Sequence, residues 1–197
     1  MNQESAEVRV FNYPILPVIG ERWSPRAMTG DEIPDEILFS FFEAARWAPS
    51  SSNNQPWRFI YAKKNTPEWN TLFDLLVDFN KSWAKNAAAL IVVISKNTFE
   101  KNGEPARTHS SDTGAAWMSL AIEGTSQGYV VHGMGGFDYD KAKKNLQIPD
   151  DYTVEMMVAV GKKALKETLP PDLQKREVPS LRKPLNEIVM KGSFKAN

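Results

Sequence analysis

The chain has 197 residues, 42% hydrophobic and 24% charged, as is usual for one soluble globular domain. Basic and acidic residues number 24 each, and this zero net charge argues against a general nucleic-acid binder. The absence of cysteine excludes disulfides and thiol catalysis and fits a cytoplasmic protein, and two histidines make a multi-histidine metal site unfavourable. Because no signal-peptide pattern is present and the longest apolar run (87–94) is too short for a bilayer, no membrane association is predicted.

The N-terminal part is predicted to be an irregular arm followed by an amphipathic helix. Over residues 1–20, Pro14 and Pro17 interrupt any helix. A helix start is indicated at 31–35, with Pro34 suited to the first turn, and the helix should end before Pro49. Its apolar face consists of Ile37, Leu38, Phe41, Phe42 and Ala45.

The rest of the chain alternates predicted strands and helices. These are a strand at 57–62, a helix from Pro67 with one apolar stripe (Trp69, Leu72, Phe73, Leu76, Phe79), a doubly buried strand at 88–95, a small-residue helix at 108–127 capped by Gly128, and a strand at 154–161. The charged, proline-containing tail from about 163 to 197 is predicted to be a second arm. The pattern favours an α+β fold in a single domain, 1–197, with few strands.

The stretch APSSSNNQPW, residues 48–57, combines consecutive hydroxyl and amide side chains with a proline and a tryptophan. It lies between the predicted helix and a strand, where small ligands are often held. Serine, asparagine and proline are also ordinary turn residues, so a plain turn is the alternative.

Two arginines flank a serine at Arg22, Ser24 and Arg26. In an extended segment these three side chains would share one side and could converge on an anion such as phosphate. A solvated surface turn is the alternative. Arg182, in LRKPL, is a second candidate cation that would otherwise be a solvated tail charge.

A glycine-rich segment, His132-Gly-Met-Gly-Gly-Phe-Asp138, could bring backbone N–H groups close to a flat ligand. It matches neither GxxxxGK[ST] nor GxGxxG, and a glycine-rich turn is the alternative. Asn80 is predicted to lie at a helix end, where it could act as a C-terminal cap. His109, Ser110 and Asp112 include triad residue types, but neighbours on one helix do not face one another, which disfavours a hydrolase.

The order of these segments resembles the FMN-dependent nitroreductase family, from about Arg22 to Val189. The resemblance implies a central, mostly antiparallel sheet flanked by helices, with extended terminal arms forming an intertwined homodimer. At the phosphate end it implies FMN contacts from Arg22, Ser24 and Arg26, which would also reach the ribityl-facing edge, with Arg182 as a second phosphate ligand.

At the flavin end, the resemblance implies that Asn80 hydrogen-bonds the pyrimidine edge. The remaining implied contacts are Met134, Gly135 and Gly136 at the flavin face and edge, and Pro49, Ser50, Ser51 and Asn53 of the partner subunit along the isoalloxazine and ribityl chain. Many family members have a lysine shortly after this asparagine, but here Trp83 occupies the aligned position. Arg22 or backbone donors would then compensate negative charge on the flavin.

The implied activity is hydride transfer from NADH or NADPH to FMN, followed by reduction of a small-molecule acceptor such as a nitroaromatic or a quinone, with ping-pong kinetics. Because the cofactor carries the chemistry, no catalytic side chain is predicted. One alternative is a flavoenzyme of the same fold with a specialised substrate, acting by dehalogenation, dehydrogenation or flavin fragmentation. The other is a non-enzymatic FMN-binding protein.

Overall fold

A four-stranded sheet organises the computed structural model, which describes residues 9–194. Its strands are β1 (Trp57–Lys63), β2 (Ala89–Lys96), β3 (Tyr129–Met134) and β4 (Tyr152–Lys162). The order is β1-β2-β4-β3, and each neighbouring pair is antiparallel. The α+β class is confirmed, and β1 and β3 form opposite edges of the sheet.

Helices and arm segments cover the sheet on both faces. They are α1 (Pro17–Glu21), α2 (Asp35–Arg46), α3 (Trp69–Phe73), α4 (Asp78–Ala84), α5 (His109–Ser126), α6 (Tyr139–Asn145), α7 (Pro171–Gln174) and α8 (Leu185–Ile188), with 3₁₀ turns at Ser51–Asn53 and Lys166–Thr168. Within residues 9–194, every helix is too short or too polar to cross a bilayer.

Two hydrophobic clusters bury the faces of the sheet. Helices α2 and α5 cover one face through side chains such as Phe41 and Leu120, which pack with Ile91 and Val158. Helices α3, α4 and α6, with tail residues such as Leu173, cover the other. Strand β2 is buried on both faces as far as Ser95, which confirms the expectation drawn from its continuous apolar run.

Most predicted boundaries differ from the observed ones by one or two residues, but two segments were interpreted wrongly. Pro17 does not prevent a helix: it begins α1, where its fixed φ and missing N–H are favourable. The single helix predicted from Pro67 is two helices, α3 and α4. The chain extends between them because Leu76 forms a β-bridge with Phe137 and the Val77 N–H bonds the Gly136 carbonyl at 3.1 Å.

This interruption changes the position of Asn80. The residue lies in the first turn of α4, three positions after the N-cap Val77, and not at the C-terminal end of a helix. The C-cap interpretation of Asn80 is therefore wrong. Gly128, in contrast, ends α5 as predicted, with φ +78° and an N–H that bonds the Thr125 carbonyl at 3.0 Å.

Both arms of the chain pack near the segment Arg22–Arg26. The tail begins by pairing with the residues after this segment, through a bridge between Met28 and Lys163 and a bond from the Ala164 N–H to the Ala27 carbonyl. Large apolar side chains on both arms remain exposed in the single chain, among them Val10, Tyr13, Leu16, Leu181, Ile188 and Val189.

Candidate functional site

His132 fixes the segment Arg22–Arg26 against β3. Its Nδ1–H donates to the Pro25 carbonyl at 2.8 Å, and its ring packs against Trp83 with centroids 4.6 Å apart. Burial above all, together with the charges of Arg26 and Arg22, lowers the pKa of His132 to about 4, although the bond to the Pro25 carbonyl acts in the opposite direction. The imidazole is therefore neutral at pH 7. This role is not evident from the sequence, although His132 alternates with Val130 and Met134 on one strand face.

Arg22 and Ser24 lie together, as the extended-segment argument requires. Arg22 Nη1 is 3.4 Å from Ser24 Oγ and 3.1 Å from the Trp23 carbonyl. Burial lowers the pKa of Arg22, and the neighbouring charges of Arg182 and Arg9 lower it further. The guanidinium groups of Arg9, Arg22 and Arg182 are thus close enough to repel one another.

Arg26 faces a different partner. Oε1 of the buried Glu177 accepts the backbone N–H groups of Arg26 at 2.7 Å and Ala27 at 2.8 Å, while Oε2 lies 4.0 Å from Arg26 Nη1. The positive charge of Arg26 is thus partly balanced within the chain. Glu177 cannot be recognised from the sequence as the partner of Arg26, because 151 positions separate the two residues.

Asn80 and Gly136 form a close contact just after the C-terminal end of β3. Asn80 Nδ2 donates to the Gly136 carbonyl at 2.9 Å. A Cβ on Gly136 would lie 2.6 Å from Asn80 Nδ2 and 3.2 Å from Val77 Cγ2, so only glycine leaves the amide in place. Gly135 is exposed, whereas Met134 is the last residue of β3 and its side chain lies in the core.

The turn from Ser50 to Gln55 is held in a strained conformation. Ser52, Asn53 and Gln55 have φ values of +52°, +53° and +50°, in the left-handed region that costs energy for residues other than glycine. The Gln55 N–H donates to Ser50 Oγ at 3.0 Å. Such strain persists where surrounding bonds determine the backbone, and it clusters at functional sites.

Two side chains outside the predicted set anchor this turn. Asp112 Oδ2, on α5, accepts the Ser51 N–H at 3.1 Å and the Thr108 hydroxyl at 2.9 Å. Asn54 bonds the Thr98 carbonyl and the Glu100 N–H at 3.2 and 2.9 Å. Pro49, just before the turn, is exposed. A row of polar turn residues indicated this site in the sequence, but Asp112 and the backbone groups that Asn54 bonds come from distant segments.

The turn and the arginine segment are associated with strands at opposite edges of the sheet. The turn leads into β1, whereas Arg22–Arg26 lies beside β3, at the opposite edge of the sheet. Three strand spacings separate these edges, or about 14 Å.

Ser95, His109 and Glu155 bring triad residue types together from three elements, but not in a triad arrangement. Ser95 Oγ donates to Glu155 and lies 2.7 Å from His109 Nδ1, and the Ser110 hydroxyl also donates to Glu155. Because a hydroxyl has one proton, His109 Nδ1 is left to donate to Ser95, the reverse of what activates a serine. Ser95 is also fully buried, so the cluster anchors α5 to the sheet.

Several features of the described residues suit a flat, anionic ligand beside β3. Arg9 Nε, Arg9 Nη2 and Arg26 Nε are buried without a hydrogen-bond partner there. Gly135 is exposed and leaves its backbone accessible next to the Asn80–Gly136 contact. No cluster of three or more His, Asp or Glu side chains in residues 9–194 is arranged to hold a metal ion.

Known proteins resemble this chain over most of its length. The model of the family described as "Nitroreductase family" matches residues 19–76 and 61–162. A crystal structure described as an oxidoreductase containing FMN is 45% identical, has a TM-score of 0.92 and covers 96% of this chain and 97% of its own.

Two further matches are more distant. YdgI of Bacillus subtilis, which bears the name of an NAD(P)H nitroreductase, is 24% identical, and the match covers 68% of this chain and 80% of YdgI. A nitroreductase family protein of Streptococcus pneumoniae, 22% identical, shares the fold with a TM-score of 0.70 over 89% of this chain and 98% of its own. The sheet and its helices thus have the arrangement of these proteins.

Proposed function

Since this chain belongs to the nitroreductase family and is an NAD(P)H flavin oxidoreductase of that family, we propose that it binds FMN and reduces small-molecule acceptors such as nitroaromatics or quinones. The observation that carries the proposal is the arrangement along β3. Arg9 and Arg26, whose guanidinium groups have unpartnered nitrogens, belong to or contact the segment that His132 of β3 holds, and the Asn80–Gly136 contact follows the C-terminal end of β3. These groups match a ligand with a phosphate at one end and a polar ring edge at the other.

The residues present fit the two ends of FMN. Arg22, Ser24 and Arg182 would bind the phosphate, with Arg26 beside them, because guanidinium and hydroxyl groups donate to phosphate oxygens. Asn80 uses one of its two amide hydrogens on Gly136 and retains another hydrogen and its carbonyl oxygen for the pyrimidine edge. Gly135, Gly136 and the backbone near Met134 would lie along the flavin face and edge.

When bound, FMN would supply hydride and electron transfer between NADH or NADPH and the acceptor. The chain would bind and orient the flavin and balance its charge. Trp83, aligned with the usual lysine, is buried against His132 and contributes no cation. We therefore assign charge compensation to Arg22 and to backbone N–H groups near Gly136.

We also propose that the active form is a homodimer with two sites. In each site, Pro49, Ser50, Ser51 and Asn53 would come from the partner, because this turn and Arg22 lie at opposite edges of the sheet in one chain. The exposed apolar side chains of both arms would be buried between subunits, which is the contribution that stabilises obligate dimers. The whole chain, 1–197, would be one cytoplasmic domain with arms at 1–20 and about 163–197.

The absorption spectrum of the purified protein tests the flavin proposal. We expect oxidised-flavin bands near about 450 nm, their loss on anaerobic addition of NADH or NADPH, and their return with a nitroaromatic or quinone. A protein without flavin bands even after reconstitution with FMN would contradict the proposal. If NADH or NADPH bleaches the flavin bands but neither a nitroaromatic nor a quinone restores them, a flavoenzyme with a specialised substrate is favoured.

A mixing experiment tests the shared site. Arg22→Ala/Arg182→Ala damages the phosphate end, and Ser51→Phe fills the turn. When the two variants are refolded together, about half of the dimers should contain one chain of each kind. Each such mixed dimer has one undamaged site of its two, so about a quarter of all sites should be restored. The control refolds each variant alone, which should restore none. If one chain supplied both parts of a site, the mixture would stay as inactive as the controls.

A further inference from the structure

Arg9 fastens the N-terminal arm to the segment that carries Arg22. Its Nη1 donates to the carbonyls of Gly20 and Arg22, both at 2.8 Å. The ring of Phe11 lies over Gly20 so closely that a Cβ there would be 2.5 Å from Phe11 Cζ. The arm therefore adopts a defined path across the end of α1.

Only part of the Arg9 guanidinium is used in this contact. Nε and Nη2 are buried and have no hydrogen-bond partner in the described part of the chain. Arg9 and Arg182 line the same cavity of about 610 Å³ between the two arms. Burying N–H groups without acceptors is unfavourable, so a ligand that supplies acceptor oxygens would relieve this penalty.

The charges around Arg9 point to an anion. Burial lowers the pKa of Arg9, and the charge of Arg182 lowers it further, while Arg9 and Arg182 both lower the pKa of Arg22. All three guanidinium groups stay protonated at neutral pH. A doubly charged group between them would replace this mutual repulsion with attraction.

We propose that Arg9 is a third guanidinium ligand of the FMN phosphate, together with Arg22 and Arg182. The inference rests on the proposed function, since it requires that the chain bind FMN. It assigns a binding role to an arm residue outside the RxSxR motif. A phosphomonoester has three terminal oxygens, enough acceptors for the free donors of several arginines.

Binding of FMN compared with riboflavin, which lacks the phosphate, tests the assignment. Both affinities are measured by flavin fluorescence for the wild-type apoprotein, Arg9→Gln and the matched control Arg107→Gln, which removes an exposed charge before α5. We expect Arg9→Gln to weaken FMN binding about ten- to a hundredfold, as loss of a charged hydrogen bond implies, and to change riboflavin binding less than about twofold. Arg107→Gln should change neither.

A second variant keeps the test decisive if Arg9→Gln does not fold. Arg9→Lys retains the charge, but its donors are all on one nitrogen and cannot reproduce the planar fork with which a guanidinium group reaches two carbonyls on one side and a phosphate on the other. It should bind FMN several-fold more weakly than the wild type and riboflavin equally well.

Three results would overturn the inference. If Arg9→Gln weakened FMN and riboflavin binding equally, Arg9 would only hold the N-terminal arm in place. Unchanged FMN affinity would remove it from the site. A changed preference for NADPH over NADH at unchanged FMN affinity would assign it to the nucleotide 2′-phosphate. Failure of the wild type to bind either flavin would overturn the proposed function itself.

Discussion

The two edges of the sheet carry different kinds of binding surface. Beside β3, Arg9, Arg22 and Arg182 bring like charges together from both arms, and some of their donors have no partner. At the β1 edge, the turn Ser50–Gln55 has a strained backbone. Hydrogen bonds of the Asp112, Asn54 and Ser50 side chains hold it in place. Binding of an anion, as we propose, would stabilise the first surface, whereas hydrogen bonds within the chain already hold the second in shape.

This difference predicts which edge supplies affinity and which supplies shape. Charged hydrogen bonds at the β3 edge should dominate the binding free energy and weaken as salt increases. Substitutions in the turn should change FMN affinity by altering how closely the turn packs against the flavin ring system. They should leave the salt dependence of that affinity unchanged.

The double variant Arg22→Ala/Arg182→Ala should bind FMN more weakly by about 3–6 kcal/mol, since each charged hydrogen bond contributes about 1.5–3 kcal/mol. FMN titration at low and high salt measures this and should show that most of the salt dependence is lost. The turn variant Ser51→Ala/Asn53→Ala is the comparison and should lose less than about 1.5 kcal/mol. A larger loss in the turn variant would reverse the roles of the two edges.

The pH dependence of folding tests the contact that fixes the arginine segment. Because the folded pKa of His132, about 4, lies below the ordinary value of 6.5, the unfolded chain binds its proton first as the pH falls. The free energy of unfolding should therefore decrease by on the order of 3 kcal/mol between pH 6.5 and 4 and level off below. Urea denaturation across this range measures the decrease.

Two variants separate His132 from other titrating groups. His132→Gln should show a flatter profile between pH 6.5 and 4, because no imidazole is left to take up a proton. His109→Gln replaces the other histidine, leaves the Pro25 contact intact and should keep the slope. A profile of His132→Gln as steep as that of the wild type would show that different groups produce the decrease.

Gly136→Ala should act more on binding than on folding. The new Cβ would displace the Asn80 amide, at a cost of about 1 kcal/mol for the lost hydrogen bond. FMN affinity should fall further, because Asn80 can no longer face the flavin edge. Gly114→Ala, on α5, is the control. A Cβ at this position has no neighbouring atom within 4 Å, so the substitution should stabilise the helix by about 0.5–1 kcal/mol. Denaturation and flavin titration measure both variants.

Much of the fold could be predicted because local patterns determine it. The uninterrupted apolar run of β2 and the small-residue stretch of α5 with Gly128 at its end are visible in a short window of sequence. The break between α3 and α4 is not, since a pairing between Leu76 and the distant Phe137 causes it. The apolar spacing typical of a helix continues through Leu76, so the sequence pattern predicts one uninterrupted helix.

The site divides in the same way. The row Ser50–Asn53 is conspicuous because turn chemistry is local, but Asp112, which holds it, is 61 positions away from Ser51. Arg22 and Ser24 follow a spacing rule, whereas the pairing of Arg26 with Glu177 depends on the tail returning to the segment. Arg9 gave no signal in the sequence, because its meaning comes from the two carbonyls and the arginines around it in the folded chain.

The smallest expected effect tests whether the turn is strained for the sake of the ligand. Ser52→Gly removes a side chain at φ +52°, which should gain about 1 kcal/mol of relieved strain and lose about half of it to the flexibility of glycine in the unfolded chain. Asn53→Gly, at φ +53°, should change stability less, because asparagine tolerates this region. Denaturation in urea measures both. If Ser52→Gly raises stability while weakening FMN binding, the shape of the turn is maintained for the cofactor; a loss of stability would contradict strain at this position.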